Sequence, residues 1–354
     1  MPQQPPHHGN THDLAVMLEP ALHCACGGND SGDGQIGKNS RLGSIEWFHA
    51  SWQRGGAATG FSTYRMHDYQ GTKDTASLHR GAMIKLPLSP SEYHWTTSLG
   101  CVAHAEFDSP HACNLPVPRV FAHGVELGGH DLAWVICERL TGDHMPKHMR
   151  AQQVEELMSR VFAFHQLASQ VKPVTRDKVH TPDWGALLEK SRDQCRQHLV
   201  AEYSQWADAI RKVQRALPAL KNRWDDRELD TWCHGDLHPG NALMRTLPDG
   251  SQRCVLIDLA LVHPGHWIED ALYLERQYWG HEDWLDNAKP ISILARLRRE
   301  AGLPTHGDYT MLANVRRVLM AACAPGVIDR EGANAKYLHR AWTLIEQLLP
   351  QIPH

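Results

Sequence analysis

The stretch that most constrains this chain is Cys233-His234-Gly235-Asp236-Leu237-His238-Pro239-Gly240-Asn241, followed by Val255-Leu256-Ile257-Asp258. Between the two, Ala242-Leu243-Met244-Arg245 turns at Pro248-Asp249-Gly250 and returns as Arg253-Cys254-Val255-Leu256-Ile257, which reads as a hairpin from its turn residues. A hairpin brings its ends together, so Asn241 and Asp258 are expected to face one ion although 17 residues separate them. Asp236 is placed to accept the proton of an attacking hydroxyl, and the side-chain oxygens of Asn241 and Asp258 are of the kind Mg²⁺ prefers. A Gly/Pro-rich surface turn alone would explain Pro239 and Gly240. It would not explain Asp258, a carboxylate closing an apolar strand, where burial without a partner is costly.

Asp236 and Asn241 are five positions apart, as are the proton-accepting Asp and metal-binding Asn of the kinase pattern H-R-D-x-x-x-x-N, with Gly235 standing where that pattern has Arg. This is the arrangement of a phosphoryl-transfer centre. The run His234 to Asn241 with Ile257-Asp258 resembles the signature of the aminoglycoside phosphotransferase and choline kinase-like family, small-molecule kinases with a protein-kinase-like fold. The resemblance implies an α+β chain of two lobes, an N-terminal antiparallel β-sheet lobe and a mainly helical C-terminal lobe. It also implies ATP and Mg²⁺ as cofactors and a hydroxyl of a small molecule as acceptor. Composition is compatible: 354 residues with 42% hydrophobic content can form one large or two medium domains with real cores.

The lobes are expected at 45–137, binding nucleotide, and 138–354, holding the catalytic loop and acceptor-binding helices. Residues 1–44 form a tail, a short helix and a linker. In that helix Leu14, Met17, Leu18 and Leu22 share one face, and Gly27-Gly28 end it. Ile45 to Trp52 reads as a strand, Arg54 to Gly60 as a glycine turn and Phe61 to Met66 as a second strand. Gly55 and Gly56 match the family's nucleotide loop, where backbone N–H groups approach phosphates, although the Asn usual after the glycine pair is missing. A third strand, Gly81 to Leu86, carries Lys85 at the position of the family's phosphate-binding lysine. Its orienting glutamate is Glu106, 21 residues on, or Glu92, seven residues on; Glu106 is preferred because Glu92 reads as loop. The apolar strand Leu132 to Leu140 turns charged at its end and resembles the family's hinge. Backbone atoms of Cys137 and Arg139 would there meet adenine.

Beyond the hinge, Val154, Leu157, Met158, Val161, Phe162 and His165 recur at helical steps, with His165 read as a core histidine. A second periodic run from Cys195 to Leu220 forms one or two helices, and three amphipathic helices close the chain (291–303, 308–323 and 331–349). Asp270 reads as a structural cap or buried acceptor. The acids Glu269, Glu275, Glu282, Asp283 and Asp286 suggest either a pocket for an amine-bearing acceptor or a solvated face.

The formal net charge of −4 and the lack of a Lys/Arg cluster argue against nucleic acid as partner. Nine scattered cysteines without paired C-x-x-C spacing point to reduced thiols and a cytoplasmic protein. No apolar run approaches the ~18 residues of a membrane span. A catalytically inactive nucleotide-binding or regulatory module is the alternative, and Lys85, Asp236, Asn241 and Asp258 would have to be reconciled with it. A protein Ser/Thr kinase is disfavoured because Asp258-Leu259-Ala260 departs from Asp-Phe-Gly and no Ala-Pro-Glu follows.

Overall fold

In a computed structural model, the structure describes residues 11–27, 40–48, 57–66, 79–175, 182–197, 203–305, 308–327 and 335–353. The chain divides into two compact units, one of residues 1–143 with 243–261, the other of residues 144–242 with 262–354.

In the first unit, α1 (Thr11–Ala25) precedes β1 (Glu46–Phe48), β2 (Ala58–Arg65), β3 (His79–Leu86), α2 (Pro90–Gly100), α3 (Pro110–Cys113), β4 (Val120–Gly124) and β5 (Trp134–Glu138). The strands form one five-stranded antiparallel sheet in the order β1-β2-β3-β5-β4. Its apolar side is built from alternate residues, Ala82, Ile84 and Leu86 of β3 with Trp134 and Ile136 of β5, as the two-residue period of a strand requires. Helix α1 belongs to this core. Its buried face is Ala15, Leu18 and Leu22, continued by Cys26 just past its end, while Leu14 and Met17 are exposed, which corrects the face expected from the sequence. Periodicity favoured the larger side chains; packing against the sheet selected the smaller Ala15 and Cys26.

Strand β2 starts three residues earlier than expected, so Ala58, Thr59 and Gly60 pair with β3 rather than turn. Gly60 is there for close packing: a Cβ would lie 2.7 Å from the Ile45 side chain and 2.9 Å from Trp47. Helix α2 begins at Pro90, capped by Ser89, whose side chain accepts from the Glu92 amide. The hairpin of β7 (Ala242–Thr246) and β8 (Gln252–Leu256) completes the unit.

The second unit is mainly helical: α4 (Ala151–Val171), α5 (Trp184–Gln197), α6 (Tyr203–Asp225), α7 (Glu269–Gln277), α8 (Pro290–Glu300), α9 (Tyr309–Ala322), α10 (Ala324–Val327) and α11 (Ala335–Leu348). The short strands β6 (Thr231–Cys233) and β9 (His263–Gly265) pair antiparallel beside α4, and β6 leads directly into His234. Among the described residues no helix is long and apolar enough to cross a membrane.

Candidate active site

Helix α7 sets the loop that follows β6. Asp270, Tyr273 and Gln277 stand at i, i+3 and i+7, one face of the helix, and each holds the next part of the loop. Asp270 accepts from the amides of His234 (2.9 Å) and Gly235 (3.0 Å), Tyr273 Oη donates to Asp236 Oδ1 (2.7 Å), and Gln277 Nε2 donates to the Leu237 carbonyl (2.9 Å). Gly235 has φ +85°, a conformation that a side chain would strain, and the tight turn presents Asp236 away from the strand. Asn241 closes the loop: its Nδ2 donates to the Asp236 carbonyl (2.9 Å) and to Asp236 Oδ2 (3.2 Å). Burial and then the hydrogen bond to Asp236 push the Tyr273 phenol up to about 12. Tyr273 therefore stays protonated and donates.

Asp270 is fully buried and is an acceptor rather than a helix cap. Burial pushes its carboxyl up, but the His165 hydrogen bond (2.8 Å), His234 and the Gly235 amide overcome this and hold it at about 2. His165, Cys233 and Asp270 lie close enough to suggest a metal centre. Their bonding argues otherwise: Asp270 is occupied by His165 and two amides, and Cys233 Sγ donates to the His266 carbonyl (3.5 Å). Burial raises the Cys233 thiol well above its ordinary range, against the thiolate a metal needs.

In the first unit, Lys85 on β3 pairs with Glu92 of α2, and its Nζ lies 3.8 Å from Asp258 Oδ1. The glutamate beside Lys85 is thus Glu92, not the preferred Glu106, which lies exposed on a short 3₁₀ turn, His104–Glu106. The signal was present in Ser89-Pro90-Ser91-Glu92, a capping serine, a proline at the first helical position and an acid in the first turn. Burial raises the Glu92 carboxyl, Lys85 opposes it, and Asp258 adds to the rise. Asp258 is exposed rather than buried, two residues past β8 and at φ +63°. A positive φ is uncommon outside glycine, although Asp adopts it more readily than most residues.

Gly55 and Gly56 lie outside the described residues. Cys137 is buried within β5, its thiol pushed up to about 12 by burial. The Arg139 amide donates to the Gly81 carbonyl (2.9 Å) and its guanidinium covers the Phe61 ring at 3.9 Å, so that amide is not available to adenine.

Sequence reasoning missed a buried ionic cluster at the end of β5. Glu138 meets both Arg119 and Arg245, and Arg245 also donates to the carbonyls of Cys113 (2.9 Å), Leu115 (2.8 Å) and Val117 (2.9 Å). It fastens the β7–β8 hairpin to the sheet strand and to the segment entering β4. The charged end of the apolar strand carried this signal, and it was read only as a hinge.

The phosphotransferase enzyme family model matches residues 103–312, more than half of the chain and the part that holds Asp236, Asn241 and Asp258. No protein with a curated description matches the sequence. Among solved structures, an aminoglycoside phosphotransferase from Alicyclobacillus acidocaldarius superposes with a TM-score of 0.51 at 14% identity, covering 88% of this chain and 92% of the other. A putative aminoglycoside phosphotransferase from Ralstonia eutropha JMP134 gives a TM-score of 0.50 at 14% identity over 95% and 98%. At these identities the structures speak for a shared kinase-like fold, whereas the family match rests on the sequence itself: this chain belongs to the phosphotransferase enzyme family.

Proposed function

We propose that the protein transfers the γ-phosphoryl group of ATP, with Mg²⁺, to a hydroxyl of a small molecule. The observation that carries this reading is the position of Asp236. Its carboxylate is held by Tyr273 and Asn241 in a loop that Asp270 orders, which suits a base that orients an acceptor hydroxyl and takes its proton. Lys85, steadied by Glu92, supplies the positive charge for nucleotide phosphates. The donor set also suits a hard cation. Asp258 offers an exposed carboxylate, and Asn241, whose Nδ2 makes both of its bonds to Asp236, keeps Oδ1 free to coordinate. Bound there, Mg²⁺ would neutralise charge on the phosphate oxygens. Gly55 and Gly56 would cover the phosphates. The solved structures of like fold are named for aminoglycosides; a hydroxyl-bearing small molecule is the acceptor class taken here. A catalytically inactive module is disfavoured because Lys85, Asp236, Asn241 and Asp258 are all kept.

Mg·ATP is expected to raise the melting temperature, since a ligand at ~100 times its dissociation constant adds about 2.7 kcal/mol when it binds only the native state. Lys85→Met keeps the stem and removes the charge, so the same scan should show a much smaller shift. Equal shifts in the two proteins would move the phosphate cation elsewhere, and no shift in either at millimolar nucleotide would contradict the whole reading.

A further inference from the structure

Three of the acids on and after α7 are paired, Glu269 with Arg227 (2.9 Å), Glu275 with Arg317 (2.7 Å) and Glu282 with Arg340 (2.6 Å). Asp286 accepts from the Ala151 amide (3.1 Å). These acids do not form a pocket for an amine, and the groups placed to meet a reacting hydroxyl lie within the loop of Asp236 itself.

His238 stands two residues after Asp236 and caps the short 3₁₀ turn Pro239–Asn241, its Nδ1 accepting from the Gly240 amide (3.0 Å). A backbone amide only donates, so Nδ1 carries no hydrogen and the hydrogen of the ring sits on Nε2. Glycine at position 240 is what admits the ring, since a Cβ there would lie 2.8 Å from His238 Cε1 and 2.9 Å from Nδ1. A cap needs only that acceptor, which Asp, Asn or Ser also supplies. It leaves Nε2 unexplained. This nitrogen makes no hydrogen bond among the described residues, and it lies 3.8 Å from Asp236 Oδ2.

Asp236 is likewise committed on one side. Its Oδ1 accepts from Tyr273 Oη (2.7 Å), whereas Oδ2 accepts only from Asn241 Nδ2 (3.2 Å) and keeps a lone pair. A donor, Nε2–H, and an acceptor, Oδ2, therefore stand side by side on side chains that are 35% and 28% exposed. At 3.8 Å they are too far apart to bond each other. An oxygen about 2.8 Å from each atom spans the gap. The group that satisfies both must donate and accept at once, which a hydroxyl does. A protonated amine has donors only and would meet Nε2–H donor to donor.

We infer that His238 is a second catalytic residue, its Nε2–H holding the oxygen of the acceptor hydroxyl while Asp236 Oδ2 takes the proton. This rests on the phosphotransferase reading. In the transfer the hydroxyl proton passes to Oδ2, the oxygen bonds phosphorus through the lone pair that His238 does not hold, and the bond from phosphorus to the ADP oxygen breaks. The Nε2 hydrogen stays in place and fixes the direction of attack.

Two substitutions separate the ring nitrogens. The amide of Asn reaches the place of Nδ1 and that of Gln the place of Nε2, so His238→Asn keeps the cap without the donor and His238→Gln keeps the donor without the cap. Phosphorus NMR with Mg·ATP and a panel of hydroxylated acids, sugars, amines and antibiotics finds the compound that the wild type converts fastest, and the variants are compared on it. His238→Asn should keep the wild-type melting temperature and lose roughly tenfold or more in kcat/KM, the worth of one hydrogen bond in the transition state. His238→Gln should melt lower yet retain more activity per folded molecule than His238→Asn. The melting shift with Mg·ATP should be the same in all three proteins. A cap alone predicts the opposite order of activities, and that order, or near-wild-type kcat/KM in His238→Asn, overturns the proposal. So does a smaller Mg·ATP shift in His238→Asn, which would put Nε2–H on a nucleotide phosphate, and so do nitrogen-15 spectra that place the ring hydrogen of His238 on Nδ1. If the wild type forms no ester, the phosphotransferase reading falls and the role of His238 falls with it. If it forms ester and His238→Asn forms it as fast, the role of His238 alone falls.

Discussion

Asp236→Asn is expected to lower turnover by about 10²–10⁴-fold while nucleotide binding stays near wild type, because a base that takes the acceptor proton acts mainly in the transition state. The substitution keeps the size of the side chain and one oxygen. Tyr273 can still donate to that oxygen, and Asn241 can still donate to the main-chain carbonyl of residue 236, so the loop should keep its shape. The fold of the loop does not depend on the carboxylate, since Asp270 and Gln277 hold its backbone from α7. If Asp236 were only a turn residue, the variant would lose a little stability and keep ordinary activity per folded molecule. Turnover and the Mg·ATP melting shift, taken on one preparation, separate these outcomes. A well-folded variant with near-normal turnover would end the assignment of Asp236 as the base.

Much of this was legible in the sequence because it is local. The spacing from Asp236 to Asn241, the turn at Pro248-Asp249-Gly250 and most of the apolar period of α4 each lie within a short window; on α4 the buried aromatic is Phe164, not the expected Phe162, which is only half-buried. What was not legible depends on partners distant in sequence. Lys85 was placed on its strand, but its glutamate was chosen by counting residues to Glu106, when the cap at Ser89 already starts a helix that carries Glu92. Tyr273 gives no sign of its role until α7 is laid against the loop 37 residues upstream. The exposure of Asp258 was misjudged because an apolar strand suggests burial, while the left-handed turn after β8 points its carboxylate outward. The acids near α7 leave a pocket for an amine and a solvated face equally open in the sequence, because the arginines that engage Glu269, Glu275 and Glu282 lie 42 to 58 residues away.

Arg245→Met should have the largest effect on stability. Arg245 and Glu138 are 3% and 7% exposed in their side chains, so this is a buried pair, and removing one partner of a buried pair typically costs about 3–5 kcal/mol. Three carbonyls, those of Cys113, Leu115 and Val117, lose their donor at the same time. Glu138 keeps Arg119, which limits the loss to the charge and bonds that Arg245 supplied. Burial lowers the Arg245 pKa against the pull of Glu138, a sign that its place is held by bonding rather than by solvation. Arg245→Lys should recover only part of the loss, because an ammonium cannot reach the carboxylate and three carbonyls at once. Urea unfolding of the two variants against wild type measures this. A change under ~1 kcal/mol for Arg245→Met would mean that the carbonyls find water and the cluster adds little.

The central claim is transfer of a phosphoryl group to a hydroxyl, and phosphorus NMR of the reaction mixture tests it most directly. With Mg·ATP and a panel of hydroxylated acids, sugars, amines and antibiotics, the wild-type protein should convert at least one compound to its phosphate ester, with one ADP formed for each ester. Chelation of the metal should stop the reaction. Absence of any ester across the panel, or ADP formed without ester at the same rate in wild type and Asp236→Asn, would contradict the account.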